Sequence, residues 1–298
     1  MRCLIIGGDG MLGHQLLASW RSQHDVRVTL RRPLDAYTDY GLFDSTNAID
    51  NVDVRDIDRL CEVLADFQPN AVVNAAGVIK QRDDAKQSLP CLEINAVFPH
   101  RLRELCESVG ARLVHVSTDC VFNGKRGGYT EKDPADAEDL YGLSKFLGEV
   151  GEAPAVTLRT SIIGLELARN ASLVEWFLAQ QGTIKGFTRA IYTGVTTLEM
   201  ARVIEHVLVK QPNLTGVWQV ASEPISKYEL LSSLATLLQR SDLEITPDDD
   251  FHCDRSLKGE AFFERTGYRV PDWDAMLAEL AAQIRIRQRT EEVKQHAA

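Results

Sequence analysis

Residues 2–13 read RCLIIGGDGMLG, and the fold class can be predicted from this segment. The apolar run Cys3–Ile6 predicts a short buried strand that stops at the first glycine. Apolar side chains then recur at helical spacing over Met11–Trp20, which predicts a helix directly after the glycine-rich turn. A strand that passes through three glycines into a helix is typical of the first unit of a doubly wound parallel sheet.

The same alternation of strands and helices continues along the N-terminal half of the chain. Further strands are predicted at Asp25–Leu30, Ala71–Asn74, Arg112–Ser117 and Ala155–Arg159, with helices at Ile57–Phe67 and Leu92–Val109. Short strands that alternate with helices of about 10–15 residues are typical of a parallel sheet covered on both faces. We therefore predict an α/β fold, with a doubly wound parallel sheet over residues 1–165.

The pattern becomes looser in residues 166–298. Short pieces are predicted at Thr183–Gly186 and Ala190–Thr193, with helices near Ser172–Gln180 and Leu198–Val209. We interpret this region as a smaller, mixed C-terminal lobe that binds the substrate. It is expected to interleave partly with the first domain near residues 183–220.

Composition and charge narrow the classes of function. The 298 residues hold 33 Lys and Arg against 43 Asp and Glu, a formal net charge of −10, whereas a nucleic-acid surface needs clustered cations. No stretch approaches the ~18 consecutive apolar residues of a membrane span. The six cysteines and seven histidines show neither C-x-x-C pairing nor the spacing of metal ligands. We therefore expect a cytoplasmic protein with reduced cysteines, no metal site, and neither nucleic acid nor a membrane as a partner.

The glycine-rich turn predicts a site for a dinucleotide diphosphate, because it aims the free amides of a helix N-terminus at the anion. Arg31 and Arg32 end the second predicted strand, where a protein that prefers NAD has Asp or Glu for the ribose 2′-hydroxyl. A guanidinium matches a 2′-phosphate instead, so NADPH is expected and NADH is disfavoured. Asp53 and Val54 follow the third strand, where the carboxylate could accept from the adenine amino group. An ordinary glycine-rich turn and a strand that merely ends in two surface arginines stay open as alternatives.

Tyr141 and Lys145 are four residues apart, which places them on one face of a helix. An ammonium group near a phenol lowers the pKa of the phenol from its ordinary value of about 10. Thr118 ends the strand before them and could hydrogen-bond the same substrate oxygen. Tyr-x-x-x-Lys also occurs on amphipathic helices without chemistry. Here the pair comes after the glycine-rich turn, NAAG (Asn74–Gly77) and STDCVF (Ser117–Phe122), in that order along the chain. This order favours an acid–base pair.

With these motifs in order, the sequence resembles the extended short-chain dehydrogenase/reductase superfamily. Within it, the sequence looks most like the dTDP-4-dehydrorhamnose reductase family. The segments that show the resemblance are GGDGMLG (Gly7–Gly13), NAAG (Asn74–Gly77), VSTDCVFNG (Val116–Gly124), YGLSKFLGE (Tyr141–Glu149) and LRTSIIG (Leu158–Gly164). They follow one another through the chain, so the resemblance implies a Rossmann cofactor domain followed by a substrate lobe.

The resemblance implies an NADPH-dependent enzyme that reduces the 4-keto group of a nucleotide-activated 6-deoxy sugar for polysaccharide synthesis. Tyr141 would be the acid, Lys145 would bind the nicotinamide ribose and lower the pKa of Tyr141, and Thr118 would hold the substrate oxygen. Asn95 matches an Asn that the superfamily uses to fix the active-site geometry and a relay water. The cofactor-binding residues would be Gly7, Gly10, Met11, Leu12, Gly13, Arg31, Arg32, Asp53, Val54, Ala75, Ala76, Gly77 and Lys145.

The sequence departs from the reductase family at Cys120, where that family usually has Tyr. The nucleotide-sugar 4,6-dehydratases have a Glu there, so dehydration is not expected. GDP-fucose synthases have a Cys there, which leaves an epimerase–reductase that uses Cys120 as an alternative, although no His follows shortly after Gly164. Cys120 as a small packing side chain is the other interpretation. A second alternative is a non-catalytic NADP-binding subunit, similar to the regulatory subunit of methionine adenosyltransferase.

The substrate is expected at the carboxyl edge of the sheet and against the C-terminal lobe. The candidate substrate-binding residues are Lys80, Asp119, Cys120, Arg189 and Tyr192, with Thr193 and Arg255 as further candidates for the nucleotide diphosphate. For Lys80, a solvated surface charge is an equal alternative. The expected partner is a nucleotide-sugar substrate, and a homodimer stays open.

Overall fold

The computed structural model describes residues 1–78, 87–168 and 171–297. The strands are β1 Arg2–Ile6, β2 Asp25–Thr29, β3 Ala48–Ile49, β4 Ala71–Asn74, β5 Arg112–Thr118, β6 Ala155–Thr160, β7 Ile162–Ile163, β8 Gly182–Tyr192, β9 Val195–Thr196, β10 Gly216–Gln219, β11 Ile225–Ser226 and β12 Leu243–Asp254. The α-helices are α1 Met11–Trp20, α2 Ile57–Phe67, α3 Ser88–Cys91, α4 Phe98–Ser108, α5 Leu140–Leu147, α6 Leu173–Leu178, α7 Thr197–Lys210, α8 Lys227–Leu237, α9 Glu260–Thr266 and α10 Trp273–Ala297. A π-helical turn, Leu92–Val97, joins α3 to α4, and 3₁₀ turns cover Leu34–Tyr40 and Asp119–Val121.

A parallel sheet of seven strands forms the centre of the protein, in the order β10-β6-β5-β4-β1-β2-β3. The strand order reverses between β1 and β4, which is the place where doubly wound sheets open a crevice for ligands. The glycine-rich turn follows β1 and NAAG ends β4, so both motifs lie at this point. The predicted fold class is confirmed.

The sheet is buried on both faces because its strands are apolar on both sides. In β1, Cys3 and Ile5 join the core under α1 and α7, whereas Leu4 and Ile6 join the core under α2 and α4. This division follows from the two-residue period of a strand. The helices on each face therefore cover the sheet and leave its carboxyl edge open.

The C-terminal part differs from the sequence prediction in two respects. The two short pieces predicted around residues 183–193 form one strand, β8, because β12 pairs with it in parallel along its length. Together with β11 they form a three-stranded sheet. The long helix α10 was not predicted, because its apolar positions alternate with many charges.

Strand β10 returns from the C-terminal part to the edge of the large sheet beside β6. The division of the chain at residue 165 into a cofactor lobe and a substrate lobe stays a prediction. Within residues 1–78, 87–168 and 171–297, no helix combines the length and the apolar character needed to cross a membrane.

Candidate active site

A cavity of about 470 Å³ lies between the two sheets. Its floor is formed by the residues that follow or end β1, β4, β5 and β6, all at the carboxyl edge of the large sheet. The ends of β8 and β12 and the start of α8 cover it from the other side. This placement is the one expected for a ligand in an open α/β sheet.

The glycine-rich turn shapes one end of the cavity. Gly7 has a φ of +89°, and a Cβ on Gly13 would collide with the carbonyl oxygen of Gly7, so both positions require glycine. Gly10 caps α1 without a side-chain hydrogen bond, and Gly10, Met11 and Leu12 line the cavity. Backbone amides of the first helical turn therefore face the cavity, and this cradle fits a dinucleotide diphosphate.

The residues expected at the adenosine end lie at the surface, outside the cavity lining. Arg31 and Arg32 are exposed, and the Arg32 guanidinium lies 5.0 Å from the centre of the Tyr37 ring. Asp53 accepts two hydrogen bonds from the Arg55 guanidinium, at 3.0 and 2.7 Å. That contact lowers the pKa of Asp53, with a smaller contribution from the nearby Arg31 charge. The Asp53 carboxylate predicted for the adenine is thus already paired. Val54, the other residue predicted there, packs against the core instead.

The NAAG motif forms a second wall of the cavity. The Asn74 side chain accepts a hydrogen bond from the Ala76 amide at 3.2 Å and lies 3.1 Å from the His115 Nδ1 atom. It thereby fixes the turn, and Ala75, Ala76 and Gly77 line the cavity. Lys80, predicted just beyond this motif, lies outside the described residues.

Asn95 connects this wall to α5. Its Oδ1 atom accepts from the Val78 amide at 2.9 Å, and its Nδ2 atom donates to the Val78 carbonyl at 3.0 Å and to the Ser144 hydroxyl at 3.2 Å. The residue lies in the π-helical turn, a distortion that is frequent at functional sites. Asn95 therefore orients the chain after β4 against the helix that presents Tyr141.

Thr118, Tyr141 and Lys145 meet on the cavity surface. Tyr141 and Lys145 lie on one face of α5, and the Lys145 ammonium donates to the Val116 carbonyl at 2.7 Å. The Thr118 hydroxyl accepts from the Cys120 amide at 3.1 Å and donates to the Asp119 carboxylate at 3.2 Å. The side chains that the sequence separated by 27 residues are thus neighbours at one point of the cavity.

Burial controls the protonation of this group. It lowers the pKa of Lys145 to about 8, and the opposite charge of Glu149 limits the fall. It raises the pKa of Tyr141, while a hydrogen bond with Thr118 acts in the opposite direction. The pKa of Tyr141 in the protein alone is thus raised, in contrast to the lowering by Lys145 expected from the sequence, because desolvation is the largest effect and the nearby Asp119 charge acts in the same direction.

A buried ion pair supports α5 from below and was missed from the sequence. Glu149 accepts two hydrogen bonds from Arg159, both at 2.7 Å, and one from the Ser117 hydroxyl at 2.8 Å. The side chains of Glu149 and Arg159 are only 5% and 6% exposed. The sequence did contain a signal for this ion pair, because Arg159 lies inside the apolar strand β6 and a buried guanidinium needs an acidic partner.

The substrate side of the cavity agrees only partly with the predicted residues. Asp119, Cys120 and Tyr192 line it. Arg189 is exposed and lies outside the lining, because its position in β8 faces solvent. Thr193 is buried and accepts from the Leu257 amide at 2.9 Å, which is a structural contact.

Among the described residues, Arg255 and Lys227 bring positive charge to this side of the cavity. Arg255 also donates to the Phe122 carbonyl at 2.7 Å. Lys227 was missed because it starts α8 without any motif around it. Near them, burial and the Asp119 charge raise the pKa of Cys120 to about 12, so the thiol stays protonated at neutral pH. Within the described ranges, no group of three or more His, Cys, Asp or Glu side chains is placed to hold a metal ion.

Comparison with known proteins places this geometry among related chains. The family model described as "RmlD substrate binding domain" matches residues 1–249. Methionine adenosyltransferase 2 subunit beta of Mus musculus is 24% identical over 266 residues, covering 84% of this chain and 75% of its own. A dTDP-4-dehydrorhamnose reductase of Aggregatibacter actinomycetemcomitans is 26% identical over 239 residues, covering 76% of each chain.

A solved structure shares the whole fold. The dTDP-4-dehydrorhamnose reductase of Bacillus anthracis, in complex with NADP, superimposes with a TM-score of 0.75 at 19% identity. The match covers 95% of this chain and 99% of that chain.

Proposed function

The chain belongs to the RmlD substrate binding domain family, the family of dTDP-4-dehydrorhamnose reductases, and from this we propose that it is an NADPH-dependent reductase. Its substrate in this proposal is a nucleotide-activated 6-deoxy sugar whose 4-keto group becomes a hydroxyl, for polysaccharide synthesis. One observation supports the proposal above all. Thr118, Tyr141 and Lys145 share one cavity with the open amides of the glycine-rich turn.

The cofactor would lie along the carboxyl edge of the large sheet. When bound, NADPH supplies the hydride that reduces the ketone carbon. The amides of Met11 and Leu12 would hold its diphosphate, and Ala75 to Gly77 would border it at the next strand. Arg31 and Arg32, exposed at the end of β2, would meet the 2′-phosphate.

Tyr141 is the proton donor in this proposal. Its raised pKa keeps the phenol protonated at neutral pH, which is the state that a reduction requires. The phenol would donate to the oxygen of the ketone as negative charge develops there. The Lys145 ammonium lies in the same cavity and would stabilise the phenolate that is left.

Thr118 would supply a second hydrogen bond to the same oxygen. Its hydroxyl donates to Asp119 in the protein alone, and a hydroxyl can rotate toward a better acceptor. Arg255 and Lys227 would bind the diphosphate of the nucleotide sugar, because they bring positive charge to the covering side of the cavity. Arg255 is one of the residues that the sequence predicted for this role, whereas Lys227 was not predicted and Arg189 lies outside the cavity lining.

NADPH oxidation tests the proposal directly. We expect turnover with at least one dTDP-, UDP- or GDP-4-keto-6-deoxy sugar, and a loss of about 10²–10⁴-fold in Tyr141→Phe, the usual contribution of a general acid. Tyr268→Phe is the matched control, because that hydroxyl donates to Glu199 at 2.7 Å away from the cavity lining. Equal turnover of wild type and Tyr141→Phe would refute the role of Tyr141.

A second candidate is a non-catalytic NADP-binding subunit. The similarity to methionine adenosyltransferase 2 subunit beta over 84% of this chain favours it. The two candidates differ in one measurement. Tight NADPH binding without turnover on any keto sugar of the panel would support the binding subunit, whereas turnover would exclude a purely structural role.

A further inference from the structure

The C-terminal helix α10 lies beyond residues 1–249, the part that the family model matches. Its buried face includes Leu277, Leu280 and Ile284, which join the large core. It also contacts the helix after the glycine-rich turn, because Gln283 donates to the Gln15 side chain at 3.0 Å. The helix is thus an integral part of this protein that the family match does not explain.

A chain of hydrogen bonds leads from α10 to the cavity. The Arg287 guanidinium donates to both carboxylate oxygens of Glu175 in α6, at 2.6 and 3.0 Å. Glu175 accepts from the Glu166 amide at 2.8 Å. The Glu166 carboxylate in turn accepts from the amides of Ala171 and Ser172, at 2.8 and 3.0 Å. Glu166 and Ser172 line the cavity. Arg287 also donates to the Glu166 backbone carbonyl at 3.4 Å, so it reaches the lining both directly and through Glu175.

Burial makes this connection dependent on Arg287. The Glu175 side chain is 5% exposed, and a buried carboxylate needs a paired cation. Arg287 is the cation that contacts it in the described part of the chain. Removal of the guanidinium would leave the Glu175 carboxylate without a cation, and Glu166 and Ser172 would lose their fixed support.

Glu166, Glu175 and Arg287 lie near the first turn of α1. The charges of Glu175, Arg287 and Glu166 all act on His14, which hydrogen-bonds the Gly10 carbonyl at 2.8 Å. Glu166, which lines the same cavity, therefore lies toward the end that the glycine-rich turn shapes, which is the cofactor end.

We infer that Arg287 is a positioning residue for cofactor binding. Through Glu175 it holds the lining residues Glu166 and Ser172 against the cofactor end of the cavity. This inference rests on the proposed function, since it takes NADPH as the ligand of that end. It assigns a role in the site to α10, which lies outside the family match.

NADPH binding to the full chain, followed by cofactor fluorescence, tests the inference without any substrate. We expect Arg287→Gln to raise the Kd for NADPH about tenfold, which corresponds to about 1.4 kcal/mol. Arg287→Lys should recover part of the affinity, because it keeps a positive charge beside Glu175 but cannot make the bidentate hydrogen bond.

The matched control is Glu279→Gln. Glu279 binds Arg202 of α7 through two contacts of 2.8 and 2.7 Å, so this pair also fastens α10 but lies away from the cavity. A purely structural role predicts that both variants lower the melting temperature and leave the Kd unchanged. An Arg287→Gln protein that is folded and binds NADPH like wild type would overturn the inference.

Three further outcomes are decisive. If Arg287→Gln does not fold, Glu175→Gln serves as the second variant, because its side chain still offers an acceptor for the Glu166 amide. A Kd for NADPH equal to that of wild type in both Glu175→Gln and Arg287→Lys would then overturn the inference. If the wild type itself does not bind NADPH, the proposed function and this inference both fail. Binding by wild type with equal Kd in all variants overturns the positioning role alone.

Discussion

Lys145 provides a prediction in which activity and stability respond to pH in opposite directions. Burial lowers its pKa to about 8. Because kcat/KM reports the free enzyme, we expect it to fall about tenfold per pH unit above about pH 8, as the ammonium group is lost. Lys145→Met should abolish this dependence together with most of the activity.

Stability should change the other way over the same range. Below pH 8 the lysine is protonated in both the folded and the unfolded chain, and the buried charge destabilises the fold. Between the folded pKa of about 8 and the unfolded value of 10.5, only the unfolded chain binds the proton, so stability rises with pH. The whole effect amounts to about 3 kcal/mol, since each pKa unit is worth about 1.4 kcal/mol.

Urea unfolding of wild type and Lys145→Met at several pH values isolates this effect. The free energy of unfolding of wild type should increase relative to that of Lys145→Met from about pH 8 to about pH 10, while its kcat/KM falls. Other groups that titrate there are shared by both proteins. A wild-type-minus-variant difference that does not change with pH would refute the assigned protonation of Lys145.

Three other changes test neighbouring parts of the site. Glu149→Gln leaves its arginine partner buried without a counter-charge, so we expect a loss of roughly 3 kcal/mol in urea unfolding. It should also move the alkaline fall of kcat/KM to lower pH, because Glu149 raises the pKa of Lys145. Gly13→Ala places a Cβ against the Gly7 carbonyl, so NADPH binding measured by fluorescence should weaken, with a loss of roughly 1–3 kcal/mol in stability. Cys120→Ala should leave solvent-deuterium incorporation beside the ketone unchanged, because the thiol is protonated at neutral pH; a drop would revive the epimerase alternative.

The local rules of strands and turns made the sheet and its edge predictable from sequence. Helix α1 has the predicted bounds Met11–Trp20. The glycine-rich turn needs glycine because Gly7 has a positive φ and because a Cβ on Gly13 would collide with the Gly7 carbonyl. Thr118 and the Tyr141–Lys145 pair lie on the cavity because parallel strands and their following helices bring distant motifs to one edge.

The parts that escaped prediction depend on contacts between distant segments. Strand β8 is continuous because β12, which begins some fifty residues after β8 ends, pairs with it. Lys227 reaches the cavity through the packing of α8, and Arg189 faces away from it through the register of β8. No local pattern records such pairings, since the same residues would be ordinary surface cations in another arrangement.

The protonation states explain why Lys145, and not Tyr141, should set the pH dependence. A reduction leaves an alkoxide, which is a far stronger base than a phenolate, so even a phenol with a raised pKa transfers its proton favourably. The cost appears afterwards, because the phenolate is then a buried anion that needs a counter-charge. Lys145 lies in the same cavity and is charged only below about pH 8. The tyrosine can therefore stay protonated far above neutral pH while the reaction stops with the lysine.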